Sequence, residues 1–430
     1  MLEHLRASKG FEEIEDALKL YEMEGKPGQE EILLNRDFLS EFLAPYSIGE
    51  DKLVRIYRAL DEIEGDPELL SLFQFLRWDL CRYKNGIDGW FYQNFEFDYE
   101  SRFPDCRKFV LLLSCIPDGR KDLIRRKVPA NIYEHMPHRM AAPHLECYER
   151  TGSCEVVDFP WEKNFYTGTL FLFDRFYFTP YTFSDPFSLY RDMVTGKVTG
   201  LYQGGFLVDA EGQVMTDGAD GAGDDSFTTT LSCTEKTVTG NYINPCGIIS
   251  RTQKTLSKVI CAEVLRPGDL LLAFHIPGGE GDNPARLEKS MSMALSFYDN
   301  FFPDLEIKGF WSESWLYDPK LSFLLDRDSN IVSMQRRFYC YPIGEGGDML
   351  LKELKPLEAD ADNATSLQKK AAILLKRNVP FHTTSMIVLR EDVNGIEEGY
   401  TYVNENDIKE IRAVFLKAGI NIPEILEEEL

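Results

Sequence analysis

The segment FHIPGGEGDNPARLEKSM, Phe274 to Met291, decides how the fold is read. It begins at the end of an apolar run, DLLLAFHI (269–276), whose length and composition predict a strand. It ends inside a periodic pattern. Asn283-Pro284 supplies a cap and a first-turn residue, and Leu287, Met291, Ala294, Leu295, Tyr298, Phe301 and Phe302 keep helical spacing up to Pro303. Between strand and helix lie Ile276, Pro277, Gly278 and Gly279. Glycines let backbone N–H groups approach a ligand closely, and a helix start adds unpaired donors and positive potential. Such a corner suits a pyrophosphate, and it serves equally well as a plain connecting loop. It is neither a Walker motif nor GxGxxG, it holds no lysine, and Glu280 and Asp282 place negative charge in it.

Downstream, IKGFWSESWL predicts a second strand, DPKLSFLL a short helix and NIVSMQRRFYCYPI a third strand. A helix around Leu367–Lys376, a strand at TTSMIVL and a final helix from Asn406 complete an α/β sheet domain. Upstream, TGTLFLFDRFYFTPY and KVTGLYQGGFLVDAEGQVM are rich in β-branched and aromatic residues and read as strands with turns. DGADGAGDD (217–225) lacks the alternate carboxylates and closing glutamate of a calcium loop and reads as a hairpin tip. Before residues 150–160 the texture is helical: Phe11, Ile14, Leu18 and Tyr21 keep helical spacing, as do Leu53, Ile56, Tyr57, Leu60 and Ile63, and Asp66-Pro67 opens another helix. FVLLLSCI (109–116) reads as strand-like within that part, Arg120 to Lys127 as helix or loop, and HMPHRMAAPH (135–144) as a proline-broken loop.

A chain of 430 residues exceeds one ordinary domain. Its 47 Lys and Arg against 71 Asp and Glu give a net charge of −24, which repels phosphate backbones and anionic lipid surfaces. Nucleic acid and membrane partners are therefore not expected. The N-terminal residues lack the pattern of a signal peptide, and no run of about 18 apolar residues predicts a membrane span. Nine scattered cysteines without CxxC read as reduced thiols of a cytoplasmic protein.

Three places carry candidate chemistry. His275, at the carboxyl end of a strand, is a general-base candidate or a half-buried structural histidine. In FWSESWLYDP (310–319), alternation on a strand aligns Trp311, Glu313, Trp315 and Tyr317; a carboxylate between two tryptophans is desolvated and suits a base. Asp318-Pro319 has the form of a helix cap and first turn. Asp328-Ser329-Asn330 precedes a predicted strand and is read as a turn or a ligand contact. His135, His138 and His144 lack metal-binding spacing.

HIP-G-G (275–279), the helix that follows, S-W-L-x-D-P (314–319) and S-N-I (329–331) together resemble bacterial acyltransferase-domain proteins, in which an N-terminal acyltransferase-associated domain precedes a GNAT-like domain. The motif-bearing span is residues 262–338. The resemblance implies a helical domain over residues 1–160 and, over 161–430, a GNAT-like α/β (α+β) domain whose mixed central sheet is flanked by helices. It implies that acetyl-CoA or another acyl-CoA enters a V-shaped opening between two splayed strands. A small-molecule or peptide amine would attack the thioester, with His275 or Glu313 as base through a water and Asp318 orienting a neighbouring donor. Cofactor contacts would fall at Ile276, Gly278, Gly279, Asn283, Ser314, Trp315 and Asn330. The corner departs from the family's Q/R-x-x-G-x-G/A loop. Competing readings are a GNAT-derived protein that binds a ligand or partner without catalysis and a glycan-acting protein.

Overall fold

The computed structural model describes residues 11–23, 32–82, 101–215, 225–277, 283–345, 350–351, 354 and 364–429. The chain divides into two compact units: Met1–Phe173 with Tyr177–Tyr181 and Phe297–Pro303, and Asp174–Phe176 with Thr182–Ser296 and Asp304–Leu430.

The first unit is mainly helical, with α1 (Phe11–Met23), α2 (Arg36–Leu43), α3 (Glu50–Gly65), α4 (Pro67–Arg82), α5 (Pro104–Arg125), α6 (Ala130–Tyr133), α7 (Met136–Thr151) and α8 (Phe159–Tyr166). Asn35 caps α2 by accepting from the Asp37 and Phe38 amides. Asp66 does the same for α4, accepting from the Glu68 and Leu69 amides. One core joins Leu60 and Ile63 of α3, Phe73 and Leu76 of α4, and Leu112 and Ile116 of α5.

Two readings of this region are corrected. FVLLLSCI is not strand-like: it is the centre of α5, and Phe109 to Ile116 are all buried. A helix buried on every side shows no 3.6-residue period, so a run of this length is indistinguishable from a strand in sequence. Pro104 at its first turn is the missed start signal. HMPHRMAAPH is helical, because Pro137 falls in the first turn of α7 where no intrahelical N–H is needed, and Pro143 is accommodated within the helix. Packing of α5 needs Gly119, where a Cβ would stand 2.6 Å from the Thr167 carbonyl carbon.

The second unit contains two large sheets and a two-stranded one, β5 (Leu207–Val208) with β6 (Phe227–Thr228). One includes the order β11 (Leu270–His275), β12 (Ile307–Ser314), β14 (Thr383–Leu389), β13 (Tyr339–Glu345). The other runs β10 (Cys261–Leu265), β3 (Phe187–Asp192), β4 (Val198–Tyr202), β8 (Thr237–Asn244), β7 (Leu231–Cys233), with β9 (Ile248–Ser257) on β8. β11 and β12 are parallel, which demands a crossover, and α9 (Pro284–Phe301) supplies it. β12 and β13 both run antiparallel to β14, so the sheet is mixed. Tyr339 ties the two sheets: its hydroxyl donates to the Ile243 carbonyl at 2.7 Å and accepts from the Gly200 amide at 2.6 Å. A Cβ at position 200 would lie 3.0 Å from that hydroxyl, so the approach needs glycine.

NIVSMQRRFYCYPI is not one strand. Asn330–Gln335 forms helix α11, capped by Ser329, and β13 begins at Tyr339. The helices α10 (Leu321–Leu324), α12 (Ser366–Lys376), α13 (Glu405–Lys417) and α14 (Ile422–Glu429) share a core of Leu324, Leu374, Phe381, Phe415 and Ile422. Reciprocal capping boxes start α12 (Thr365 with Gln368) and α13 (Asn404 with Asp407). All of DGADGAGDD except Asp225 lies outside the described residues.

Candidate active site

The pairing of β11 with β12 is short. Partners run Leu270–Ile307, Leu272–Phe310 and Ala273–Trp311, and the register carries no pair beyond these among the described residues. β11 continues to His275 and β12 to Ser314, and β12 stays paired with β14 up to Ser314–Thr384. The register of the two parallel strands therefore ends at Trp311, and the ends of β11 and β12 beyond it bound the candidate opening.

The register also sorts the side chains. Ala273 pairs with Trp311, Trp311 with Ile387, Glu313 with Ser385, and Tyr341 with Ser385. Because alternate residues share a face, His275, Trp311, Glu313, Ser385 and Tyr341 all lie on one face of the sheet. His275 and Glu313 are thus brought to the same side of the opening. The Trp311 indole donates to the Tyr341 hydroxyl at 2.8 Å, and that hydroxyl donates to Asp185 Oδ2 at 2.5 Å. Burial raises the Asp185 carboxyl, while the Tyr341 bond works the other way. Ser385 is fully buried and its Oγ has no hydrogen-bond partner among the described residues. Burial holds His275 down at about 4, so its imidazole is neutral at pH 7.

The predicted alternation through Tyr317 stops short. The strand ends at Ser314, whose hydroxyl accepts from the Leu316 amide and caps a 3-10 turn, Trp315–Tyr317. Trp315 and Tyr317 are buried as parts of that turn, so Glu313 shares its strand face with Trp311 alone of the three aromatics. Asp318 is wholly buried. Its Oδ1 accepts from the Lys320 amide and its Oδ2 from the His382 amide, both at 2.7 Å. Burial raises the Asp318 carboxyl, and the Lys320 cation opposes that. The Lys320 ammonium, also buried, lies 2.6 Å from Glu211 Oε2. Gln335 donates to the carbonyls of Leu316 (2.8 Å) and Asp318 (3.2 Å). The S-W-L-x-D-P motif is thereby a tied turn.

At the start of α9, Asn283 Oδ1 accepts from the Arg286 amide at 2.9 Å, an N-cap bond. Gly278 and Gly279 lie outside the described residues, as do Glu280 and Asp282. Ile276 is exposed. Asn330 opens α11 on an exposed position and stands at no strand start. Sequence reasoning missed the cations here. Arg175 donates to the Pro277 carbonyl at 2.8 Å, while Arg286 and Lys289 hold Asp174 at 2.8 and 2.7 Å. Those bonds keep the Asp174 carboxyl below its usual value. Helical spacing of Arg286 and Lys289 was the available signal for two of the three; Arg175 comes from residues far away in sequence.

Two of the three neighbouring histidines are held by packing and hydrogen bonds. His138 Nδ1 bonds the Tyr46 hydroxyl at 2.7 Å and stacks on Phe42, and His144 stacks on Phe109 with Cys154 Sγ 3.6 Å from its Nε2. Burial brings His144 down to about 4, and a hydrogen bond with Cys106, together with burial, raises the Cys154 thiol. Among the described residues no group of His, Cys, Asp and Glu could hold a metal ion, and no helix is long and apolar enough to cross a membrane. An apolar recess of about 160 Å³ between Phe323, Phe415, Ile420 and Pro423 includes none of the candidate residues.

The sequence matches the N-acyltransferase N-terminal domain family over residues 37–168 and the GNAT-like C-terminal domain family over residues 209–385. The chain thus joins an N-acyltransferase N-terminal domain to a GNAT-like C-terminal domain. The matched span reaches well past the motif-bearing residues 262–338. Solved acyltransferases share the fold. An acyltransferase mutant in complex with octanoyl-CoA aligns at 16% identity, covering 87% of this chain and 95% of that one, with a TM-score of 0.53. An acyltransferase in complex with decanoyl-CoA aligns at 15% identity over 90% of this chain and 97% of that one, at 0.51. One in complex with decanoyl-CoA and teicoplanin aligns at 16%, over 87% and 95%, at 0.50. No curated protein sequence matches the chain.

Proposed function

We propose that this acyltransferase moves an acyl group from acyl-CoA to an amine on a small molecule, with the pantetheine arm in the opening between β11 and β12. The observation that carries this reading is the end of the β11–β12 register at Ala273–Trp311, beyond which His275 and Glu313 share one face of the sheet, with α9 following β11 in the chain. The pyrophosphate fits at the first turn of α9, where the Arg175, Arg286 and Lys289 cations counter its charge. These cations supply what the glycine loop, acidic and without lysine, does not.

The amine nitrogen attacks the thioester carbonyl; the C–N bond forms, the C–S bond breaks, and CoA leaves as the thiol. Glu313 takes the amine proton through a water, and His275 on the same face bonds as a neutral imidazole. A group at about 4 is a weak proton acceptor at neutral pH, so of the two candidates Glu313 carries the base role. The Ser385 hydroxyl, buried beside the Glu313 position, is free to bond the reacting group. Asp318 is a positioning residue, holding the turn after β12. The solved acyltransferases that bind octanoyl- and decanoyl-CoA and teicoplanin support a medium acyl chain and a small-molecule acceptor.

A thermal-shift panel of CoA, acetyl-CoA, octanoyl-CoA and decanoyl-CoA tests the reading. Ligand at about 100 times Kd adds roughly 2.7 kcal/mol and raises Tm measurably. A panel in which no thioester moves Tm at millimolar concentration sinks it.

A further inference from the structure

A different feature stands at one end of the second sheet. Three turns meet there: 193–196 between β3 and β4, 234–236 between β7 and β8, and 258–260 between β9 and β10. The Met193 amide donates to the Ile260 carbonyl at 2.9 Å, and the Lys258 amide to the Lys236 carbonyl at 2.9 Å, so the three turns form one surface. Four large apolar side chains project from it into solvent: Met193 is 67% exposed, Val194 82%, Val259 87% and Ile260 43%. Nothing in the fold needs them there, since turns ordinarily carry polar residues.

The charge around these tips reverses that of the whole chain. Lys197, Lys236 and Lys258 are exposed on or beside the turns, and Lys254 lies within electrostatic reach of Lys197 as well as of Asp407 and Glu410. Lys258 Nζ sits 2.9 Å from Cys233 Sγ, not on a carboxylate. Asp192 and Glu235 lie on the turns, and the exposed Glu263 and Glu391 lie on the adjoining segments. Asp192 is occupied in capping its turn, accepting from the Val194 and Thr195 amides at 2.8 and 2.9 Å, and Glu235 is exposed. Arg191, the remaining cation, is bound to Asp392 and Glu391. A chain of net −24 thus carries three exposed lysines against Asp192 and Glu235 on these apolar-tipped turns.

We propose that these turns dock on an anionic lipid bilayer, with Met193, Val194, Val259 and Ile260 entering the headgroup region and the lysines reaching lipid phosphates. Convex tips suit an interface of this kind, in which apolar side chains insert shallowly and flanking lysines add attraction to anionic lipid. They are too few for a stable protein interface, which buries about 800 Å² on each partner. The overall charge predicts no membrane partner, and the local reversal is what changes that expectation. Docking of this kind would set the acyltransferase beside amphiphilic donors or acceptors at a membrane.

The test is flotation of the full chain with phosphatidylcholine vesicles and with vesicles that also carry about one-fifth phosphatidylserine. Wild type is expected to float with the anionic vesicles at least ten-fold more than with the neutral ones, and to be released in about 0.5 M salt, where screening shortens to a few ångströms. Val194→Asp with Val259→Asp should lower flotation at least ten-fold without changing the melting temperature; Lys197→Glu with Lys258→Glu should abolish the preference for anionic vesicles. Were the aspartate pair to unfold the protein, Val194→Ser with Val259→Ser supplies the same readout. Wild type that stays unbound to anionic vesicles overturns the proposal, as does an aspartate pair that floats like wild type. A concentration-dependent dimer dissolved by the same pair, without vesicle binding, overturns it in favour of a contact between copies.

Discussion

Replacing Asp318 with asparagine separates a structural carboxylate from a catalytic one. Asp318 is fully buried and each of its oxygens accepts one backbone N–H, from Lys320 and from His382, at 2.7 Å. Asparagine keeps one oxygen and turns an NH2 group toward the other amide, so one buried N–H loses its acceptor. A hydrogen bond to a charged group contributes about 1.5–3 kcal/mol, and a stranded buried donor costs about 1–3 kcal/mol, two views of much the same loss. The expected destabilisation is about 2–3 kcal/mol, which lowers Tm by roughly 4–12 °C for a domain of this size. Lys320 keeps Glu211 at 2.6 Å, so the second buried charge does not become an orphan. The pH dependence adds a signature. Burial raises the folded-state pKa of Asp318 above its ordinary 3.8, so the folded state keeps the proton longer than the unfolded state does. That contribution is complete below 3.8 and is lost as pH rises through the folded value. The stability gap between wild type and Asp318→Asn should therefore narrow as pH rises through that window. Calorimetric melts from pH 3 to 8, with acyl transfer measured per folded molecule, decide the matter. An unchanged Tm with collapsed turnover would refute the positioning role and make Asp318 catalytic.

Glu313→Gln should lower kcat by about a hundred-fold or more while leaving CoA binding near wild type, as loss of a general base does; stopped-flow thiol release reads this, and unchanged kcat would remove Glu313 from the mechanism. His275→Gln is expected to cost less in kcat than Glu313→Gln, and the wild-type profile should have no His275 limb near 6.5, since that residue titrates at about 4. Arg175→Ala should weaken CoA about ten-fold in a calorimetric titration but spare dephosphorylated pantetheine thioesters, because only the former carry pyrophosphate. Tyr339→Phe removes the hydroxyl shared by Gly200 and Ile243 and leaves the buried Gly200 amide without an acceptor; about 1–3 kcal/mol of stability should be lost in denaturant melts.

The order strand, helix, strand, short helix, strand was legible because its signals are local and redundant. β11 is an apolar run of strand length, α9 has an asparagine cap and one apolar face, and Pro303 closes it. FVLLLSCI was not legible, since residues buried all round carry no period. The Ser329-Asn330 pair was misassigned because the same residue types open helices and turns, and only the hydrogen bond from the Val332 amide to Ser329 Oγ distinguishes them. Of the candidate site, His275 and Glu313 could be named from residue type and strand position, and their common face follows from alternation once register is known. Register itself was out of reach, because it depends on β14, which follows β12 by about seventy residues. For the same reason Arg175, Asp185, Tyr341 and Ser385 escaped notice: each lies on a segment whose pairing decides what it meets.

The opening owes its existence to unequal loyalties of β12. On one side β12 holds register with β14 over six consecutive pairs, from Gly309–Leu389 to Ser314–Thr384. On the other it follows β11 only as far as Trp311. Trp311 is also where β12 is fixed most firmly to its surroundings, through the bonds from its indole to Tyr341 and from Tyr341 to Asp185. Beyond that point Ser314 turns the chain into the 3-10 segment and Asp318 ties the turn to Lys320 and to His382, the residue just before β14. β12 and β14 are therefore bound together past the last β11–β12 pair. In the proposed function an incoming ligand would meet, on the β12 side, a wall held by β14 that carries Glu313. Firm placement of the proposed base is what direct attack on a thioester requires, and the S-W-L-x-D-P turn would serve that end by holding the wall still.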